Sequence, residues 1–273
     1  MARQLSRFAG VGLSMVLAMP SAHAQPARYP FAEAVQQGDV LYLSGQIGIA
    51  PGQAGLVEGG VATETRQAME NIGAVLRRNG RDYADLVKCT VMMTDMAQWA
   101  KMNQVYAGFF PDGKFPARSA LGATALALGA SVEIDCIARA GIQVAGISPS
   151  KPLGPYSQAV RAGNTIYVSG VIPFDSATNR FAQPDIAAQM AQALANLDAV
   201  LAGAGVRRDE VVRTTMYLHN AGDMAAANAA YGAYFTSPRK PARTTVPGVD
   251  WGRPDILVEI DAIAVSGQKG EKR

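Results

Sequence analysis

Apolar and polar residues alternate along residues 33–48, and apolar ones then recur every third or fourth position over 63–80. Alternation follows again, and the same succession returns in the second half of the chain. EAVQQGDVLYLSGQIG (33–48) and QAVRAGNTIYVSGVIP (158–173) each predict two strands hinged at Gly-Asp or Gly-Asn. Met69, Ile72, Val75 and Leu76 fall at helical spacing, as do Met190, Leu194, Leu197 and Leu201. Gly80 and Gly205 are the expected C-terminal stops of these helices. A strand follows each (DLVKCTVMM, 85–93; EVVRTTMYL, 210–218). A second helix carries Trp99, Met102, Tyr106 and Phe110, and its copy carries Tyr231 and Phe235. Two last strands close each unit. The order β-β-α-β-α-β-β predicts an α+β fold with helices on one face of a sheet.

The two halves are one module written twice. At a shift of 125, Pro30 falls on Pro155, Tyr42 on Tyr167, Asn103 on Asn228, and Pro116-Ala117-Arg118 on Pro241-Ala242-Arg243. One residue is then added, and VEIDCIA (132–138) falls on VEIDAIA (258–264). Register held over such a span predicts tandem domains rather than a solenoid. The expected organisation is a signal peptide over 1–24, domains over 25–140 and 154–266, a linker over 141–153, and a tail over 267–273.

The beginning of the chain changes the compartment. Arg3 and Arg7 precede the apolar run Phe8–Met19, Pro20 breaks it, and Ala22-His23-Ala24 supplies a small-x-small cleavage pattern. This predicts export to the periplasm or medium with cleavage after Ala24. The run is shorter than the ~20 residues a membrane span needs. Cleavage leaves 23 basic against 22 acidic residues, a net charge of +1. That balance argues against nucleic-acid binding, which wants a clustered basic stripe. Cys89 and Cys136 sit in apolar β-like runs; export permits a bond between them, but two buried free thiols is the preferred reading. No Walker loop, GxGxxG or GxSxG is present, and Cys and His are too few for a zinc site.

Candidate chemistry lies in the repeated polar residues. Arg118 and Arg243 each follow Pro-Ala at a strand start, where a guanidinium fork can hold a carboxylate or form an ordinary surface ion pair. Glu133 and Asp135, like Glu259 and Asp261, share one strand face, while Val132, Ile134, Val258 and Ile260 face the core. Such a carboxylate can deprotonate water, or can simply be solvated. Asn103 and Asn228 can bind a ligand or cap a neighbouring strand; Asn71 and Asn196 read as structural. Ser44-Gly45 and Ser169-Gly170 end a strand, where a glycine lets backbone approach a ligand closely or marks only a bulge.

GPYSQAV (154–160), IYVSGVIP (166–173), AANAAYGAYF (226–235), KPART (240–244) and VEIDAIAV (258–265) together resemble the RidA (YjgF-like) family of enamine/imine deaminases. LYLSGQIG (41–48), MNQVYAGFF (102–110), FPARS (115–119) and VEIDCIA (132–138) carry the likeness in the first half. The resemblance implies two tandem chorismate-mutase-like domains, each a mixed sheet with two helices on one face. It also implies rings of three domains with clefts at their interfaces, hence a trimer of two-domain chains. Arg118 and Arg243 take the place of the family's carboxylate-binding arginine, and Glu133 and Glu259 that of its water-activating glutamate. Tyr156 matches its cleft tyrosine, Asn103 and Asn228 its asparagine, and Ser44 and Ser169 its strand-end serine. Phe31 departs from the tyrosine, and GVDWGRPD alters the loop before Glu259. The second half therefore reads as the more complete site, with a carboxylate on Arg243 and water on Glu259. The implied reaction is cofactor-independent hydrolysis of small 2-imino or 2-enamino acids to 2-keto acids and ammonia. The alternatives are a non-catalytic binding protein for small carboxylates, or a structural or holdase oligomer.

Overall fold

A computed structural model describes residues 30–139, 144–148 and 150–267; the expected signal peptide lies outside them. The described residues from 33 onward form one compact unit that contains both repeats. In the first repeat the elements are β1 (Ala34–Gln37), β2 (Val40–Leu43), β3 (Gln46–Ile47), α1 (Val61–Arg78), β4 (Leu86–Met93), α2 (Trp99–Ala107), β5 (Ala117–Gly122) and β6 (Val132–Arg139). The sheet runs β1-β2-β6-β4-β5, with β3 also on β6. Only β4 and β5 pair in parallel, because α2 crosses over between them.

The second repeat comprises β7 (Val144–Ile147), β8 (Ala159–Ala162), β9 (Thr165–Val171), the hairpin β10 (Phe174–Asp175) and β11 (Arg180–Phe181), α3 (Ile186–Gly203), β12 (Val211–Leu218), α4 (Met224–Tyr234), β13 (Ala242–Pro247) and β14 (Val258–Val265). Its main sheet is β13-β12-β14-β9-β8-β7. The α+β architecture with a mixed sheet in each repeat is the one expected. The expected linker is corrected in one respect: Val144–Ile147 pairs antiparallel with β8 as an edge strand. Four residues including Gly146, which lies against Ser157, carry no readable alternation.

Each helix pair covers one face of its own sheet. Met69, Ile72 and Leu76 of α1 are fully buried with Val132 and Ile134 of β6. Met190 and Leu197 of α3 are buried with Val258 and Ile260 of β14. Gly80 and Gly205 follow these helices with φ of 67° and 63°, the left-handed stop the pattern predicted. Asn71 and Asn196 are structural: Asn71 donates to the carbonyls of Ile47 and Ile49, and Asn196 to those of Ile172 and Phe174.

The uncovered faces of the two sheets meet each other. Val87, Ala117, Val160, Ala162 and Tyr167 form an apolar seam between the repeats. Edge strand β5 would leave outward N–H groups unsatisfied, and the second repeat supplies acceptors. Ser169 Oγ accepts from the Arg118 amide at 2.7 Å, and the Gly122 amide donates to the carbonyl of Asp250 at 2.7 Å. Lys88 Nζ crosses the seam to Asp261 at 3.1 Å and to the carbonyl of Val168 at 2.8 Å. Burial would raise the Asp261 carboxyl, but the Lys88 charge and hydrogen bonds from Lys88, Thr215 and Ser119 hold it below the usual carboxylate range.

Cys89 and Cys136 form a disulfide, which corrects the preferred reading of two free thiols. They are directly opposed in the antiparallel β4–β6 ladder, both buried on the core side. Pairing register, which decides this, is not visible in either strand's own sequence.

Candidate active site

Strand periodicity sets the positions of the chemistry. On β14, Val258 and Ile260 point into the core, so Glu259 points to the opposite face, which the first repeat covers. Glu259 is thus 4% exposed on a strand whose acidic face could have been solvated. Its Oε2 accepts from Trp251 Nε1 at 2.7 Å, while Oε1 is buried with no hydrogen-bonding partner among the described residues. Burial raises its pKa to about 7; the Trp251 hydrogen bond and the charges of Lys88 and Arg118 oppose that rise. Gly170 makes room for this carboxylate, since a Cβ there would stand 1.7 Å from Glu259 Oε1. Gly45 does the same for Glu133 Oε1, at 2.1 Å. Gly170 lies where the β9–β14 register shifts, as a bulge does, and both strand-end glycines admit a glutamate of the neighbouring strand.

Arg118 enters from the other repeat. It stands on β5 and is 3% exposed, with its guanidinium carbon 4.8 Å from the centre of the Tyr106 ring and 5.7 Å from that of Tyr156. Nε and Nη1 are buried without hydrogen-bonding partners among the described residues. Burial pulls its pKa down, against the influence of Tyr106, Tyr156 and Glu259. Gly154 allows the packing: a Cβ there would lie 3.2 Å from the Trp99 ring and 3.4 Å from Arg118 Nη2. Arg118, Tyr156, Gly170 and Glu259 share one cavity of about 710 Å³. A guanidinium with two idle donors and a carboxylate with one idle oxygen can together hold an anionic substrate and a water.

A family profile described as Endoribonuclease L-PSP matches residues 21–140 and again 147–266. The chain belongs to the L-PSP family, twice over. The 2-iminobutanoate/2-iminopropanoate deaminase of Mus musculus is 41% identical over 112 residues, covering 41% of this chain and 82% of the mouse protein. Reactive Intermediate Deaminase A, chloroplastic, of Arabidopsis thaliana is 37% identical over 115 residues, 42% of this chain and 61% of that one. Among solved structures, the YjgF gene product of E. coli matches with a TM-score of 0.41 and 38% identity, covering 45% of this chain and 98% of that chain.

In this L-PSP tandem the arginine beside Glu259 and Tyr156 is Arg118, not Arg243. The expected pairing within the second half is thereby corrected. Arg243 is exposed on β13, donates to Asn228 Oδ1 at 2.7 Å, and lies 4.6 Å from the centre of the Tyr231 ring. Asn228 is exposed with it. Its counterpart Asn103 is buried with Oδ1 unpartnered among the described residues, though outside the cavity wall. Glu133 is half-buried on β6 and Ser44 half-buried beside Gly45, both away from the cavity. Phe31 is exposed. Ser169 also lies off the cavity wall; its Oγ accepts from the Arg118 amide and donates to the Ser157 carbonyl at 2.6 Å, so it positions Arg118.

Sequence reasoning passed over Trp251, Trp99 and Lys88. Trp251 sits in the altered loop GVDWGRPD, and that departure was its only signal. Trp99 reads as one more apolar position of α2. Lys88 is buried in the seam, whereas Arg213 at the matching position is exposed. Among the described residues no group of three or more His, Cys, Asp or Glu side chains could hold a metal ion, and no helix is long and apolar enough to cross a membrane.

Proposed function

We propose that the chain hydrolyses 2-imino or 2-enamino acids to 2-keto acids and ammonia at this inter-repeat cavity. The observation that carries the reading is that two residues lining one cavity hold buried polar atoms without partners among the described residues: Nε and Nη1 of Arg118 and Oε1 of Glu259. The deaminase name of the mouse relative supports the same reaction class. The substrate carboxylate docks on the Arg118 fork. Glu259 takes a proton from water as the water oxygen bonds to the imine carbon, and the C=N electron pair moves to nitrogen, which receives that proton from Glu259. Glu259 then takes the hydroxyl proton of the carbinolamine and passes it to nitrogen as the C–N bond breaks and ammonia leaves. An enamine first takes a proton on its β-carbon. A carboxylate of pKa about 7 is suited to accept and return a proton near neutrality. Tyr156, held against Arg118, closes the anionic end.

The test is keto-acid release from imines generated in place by an amino-acid oxidase, with and without the protein. Rates equal to the uncatalysed hydrolysis would overturn the reading.

Assembly as a trimer of chains is part of the proposal. Strand β13 is largely exposed where its counterpart β5 is covered, and Tyr42 is 51% exposed where its counterpart Tyr167 is 5% exposed. The faces that dock between repeats within the chain thus remain open at its two ends. A second copy would bring Arg243 toward Glu133 as Arg118 stands toward Glu259. Light scattering decides this; a clean monomer contradicts it.

A further inference from the structure

The cavity is far larger than a three- or four-carbon imino acid requires. Its 710 Å³ falls among volumes that enclose drug-sized ligands. Besides Arg118 and Glu259 its lining includes Trp99, Phe174, Phe181, Trp251, Ile172 and Ile256, with polar residues such as Arg180 and Gln183 among them.

This aromatic wall is not a property of the repeated module. Phe174 and Phe181 face each other across the β10–β11 hairpin, and the matching bridge in the first repeat joins Ile49 and Leu56. Trp99 corresponds to Met224, and Trp251 stands in the loop that has no residue-for-residue partner. Each repeat therefore brings aromatic rings to the shared cavity where its sister carries aliphatic ones. The rings are fixed in place. Phe174 and Phe181 meet edge to face with centroids 5.2 Å apart. Arg253, paired with Asp255 at 2.6 Å, stacks 4.3 Å from the Phe181 centroid. Asn196 holds the Phe174 carbonyl at 2.8 Å. Fixed aromatic surface around a cavity favours a flat apolar group, by stacking and by area removed from water.

We propose that the substrate side chain is aromatic: the cavity takes aryl 2-imino acids, carboxylate on Arg118 and ring against Phe174, Phe181 and Trp99. The proposal rests on the deaminase reading for its reaction and on the walls for its specificity. The reaction class that supplies such a substrate is oxidation of an aromatic 2-amino acid to its imine.

The experiment compares kcat/KM for imines made by an amino-acid oxidase from phenylalanine and from alanine. It is run on wild type, Phe181→Ala and Phe181→Leu, the last restoring the residue type of Leu56. In parallel, phenylpyruvate and pyruvate are titrated into each protein by calorimetry. The expected result is at least a roughly tenfold preference for the aryl imine, as aromatic burial warrants, with the ratio of aryl to alanine-imine turnover reduced severalfold in both variants. Turnover without an aryl preference overturns this inference and leaves the deaminase reading standing. Absence of turnover on both imines overturns the deaminase reading. In that case tighter binding of phenylpyruvate than of pyruvate, weakened in the variants, sustains the aromatic pocket, and equal binding overturns it.

Discussion

Arg118→Lys keeps a positive charge at the closed end of the cavity and removes the planar fork. Nε and Nη1 of Arg118 are buried without partners among the described residues, and an ammonium cannot offer the directional donors of a planar guanidinium. A charge-assisted hydrogen bond is worth about 1.5–3 kcal/mol, or roughly ten- to hundredfold in kcat/KM. The structure places the loss toward the upper end. At 3% exposure a lysine is discharged more readily than an arginine, and the packing of the guanidinium on Tyr106 and Tyr156 goes as well. Arg243→Lys is the internal control, because Arg243 is exposed and bonded to Asn228. Its expected cost is at most about twofold, the share of a second, inter-chain site. The assay is keto-acid release from oxidase-generated imines, with thermal unfolding run on each variant to separate folding from chemistry. A fall with Arg243→Lys and none with Arg118→Lys would refute the pairing of Arg118 with Glu259.

Glu259 must be ionised to take a proton from water, and its pKa is raised to about 7. kcat/KM should therefore rise about tenfold per pH unit below that value and level off above it, and Glu259→Gln should abolish that limb along with most of the rate. A profile flat from pH 5 to 8 would exclude Glu259 as the base. The same shift makes the protein less stable as pH rises: the folded state favours the protonated carboxyl, so the stability this gives is full below 4.5 and lost as pH rises through about 7. The disulfide closes a sequence separation of 47 residues, so Cys89→Ala with Cys136→Ala should cost roughly 2–4 kcal/mol in denaturant unfolding. Thiol titration of unfolded, unreduced protein should find none, and two thiols would contradict the bond.

The parts of the fold set by local periodicity were legible. Val132 and Ile134 are buried and Glu133 is not, as alternation on β6 requires; Met69, Ile72 and Leu76 are buried at helical spacing on α1. The duplicated Pro-Ala-Arg and Val-Glu-Ile-Asp pointed to Arg118 and Glu259, which the fold brings to one cavity. Which copy works with which was not legible, since that depends on how one sheet face docks on another. Complementarity of the seam around Lys88, Ala117 and Tyr167 decides it, and no spacing within a repeat encodes it. The same reason hides the Cys89–Cys136 bond, which rests on register between strands distant in sequence. The edge strand β7 and the hairpin β10–β11 are too short to show a period.

The central claim is that one working site is assembled from both repeats of a single chain. The most direct measurement is a crystal structure of the protein with a 2-keto acid product bound. The product carboxylate is expected on the Arg118 guanidinium, with its carbonyl carbon beside Glu259 in the cavity between the repeats. Product bound on Arg243 with the Arg118 cavity empty would contradict it.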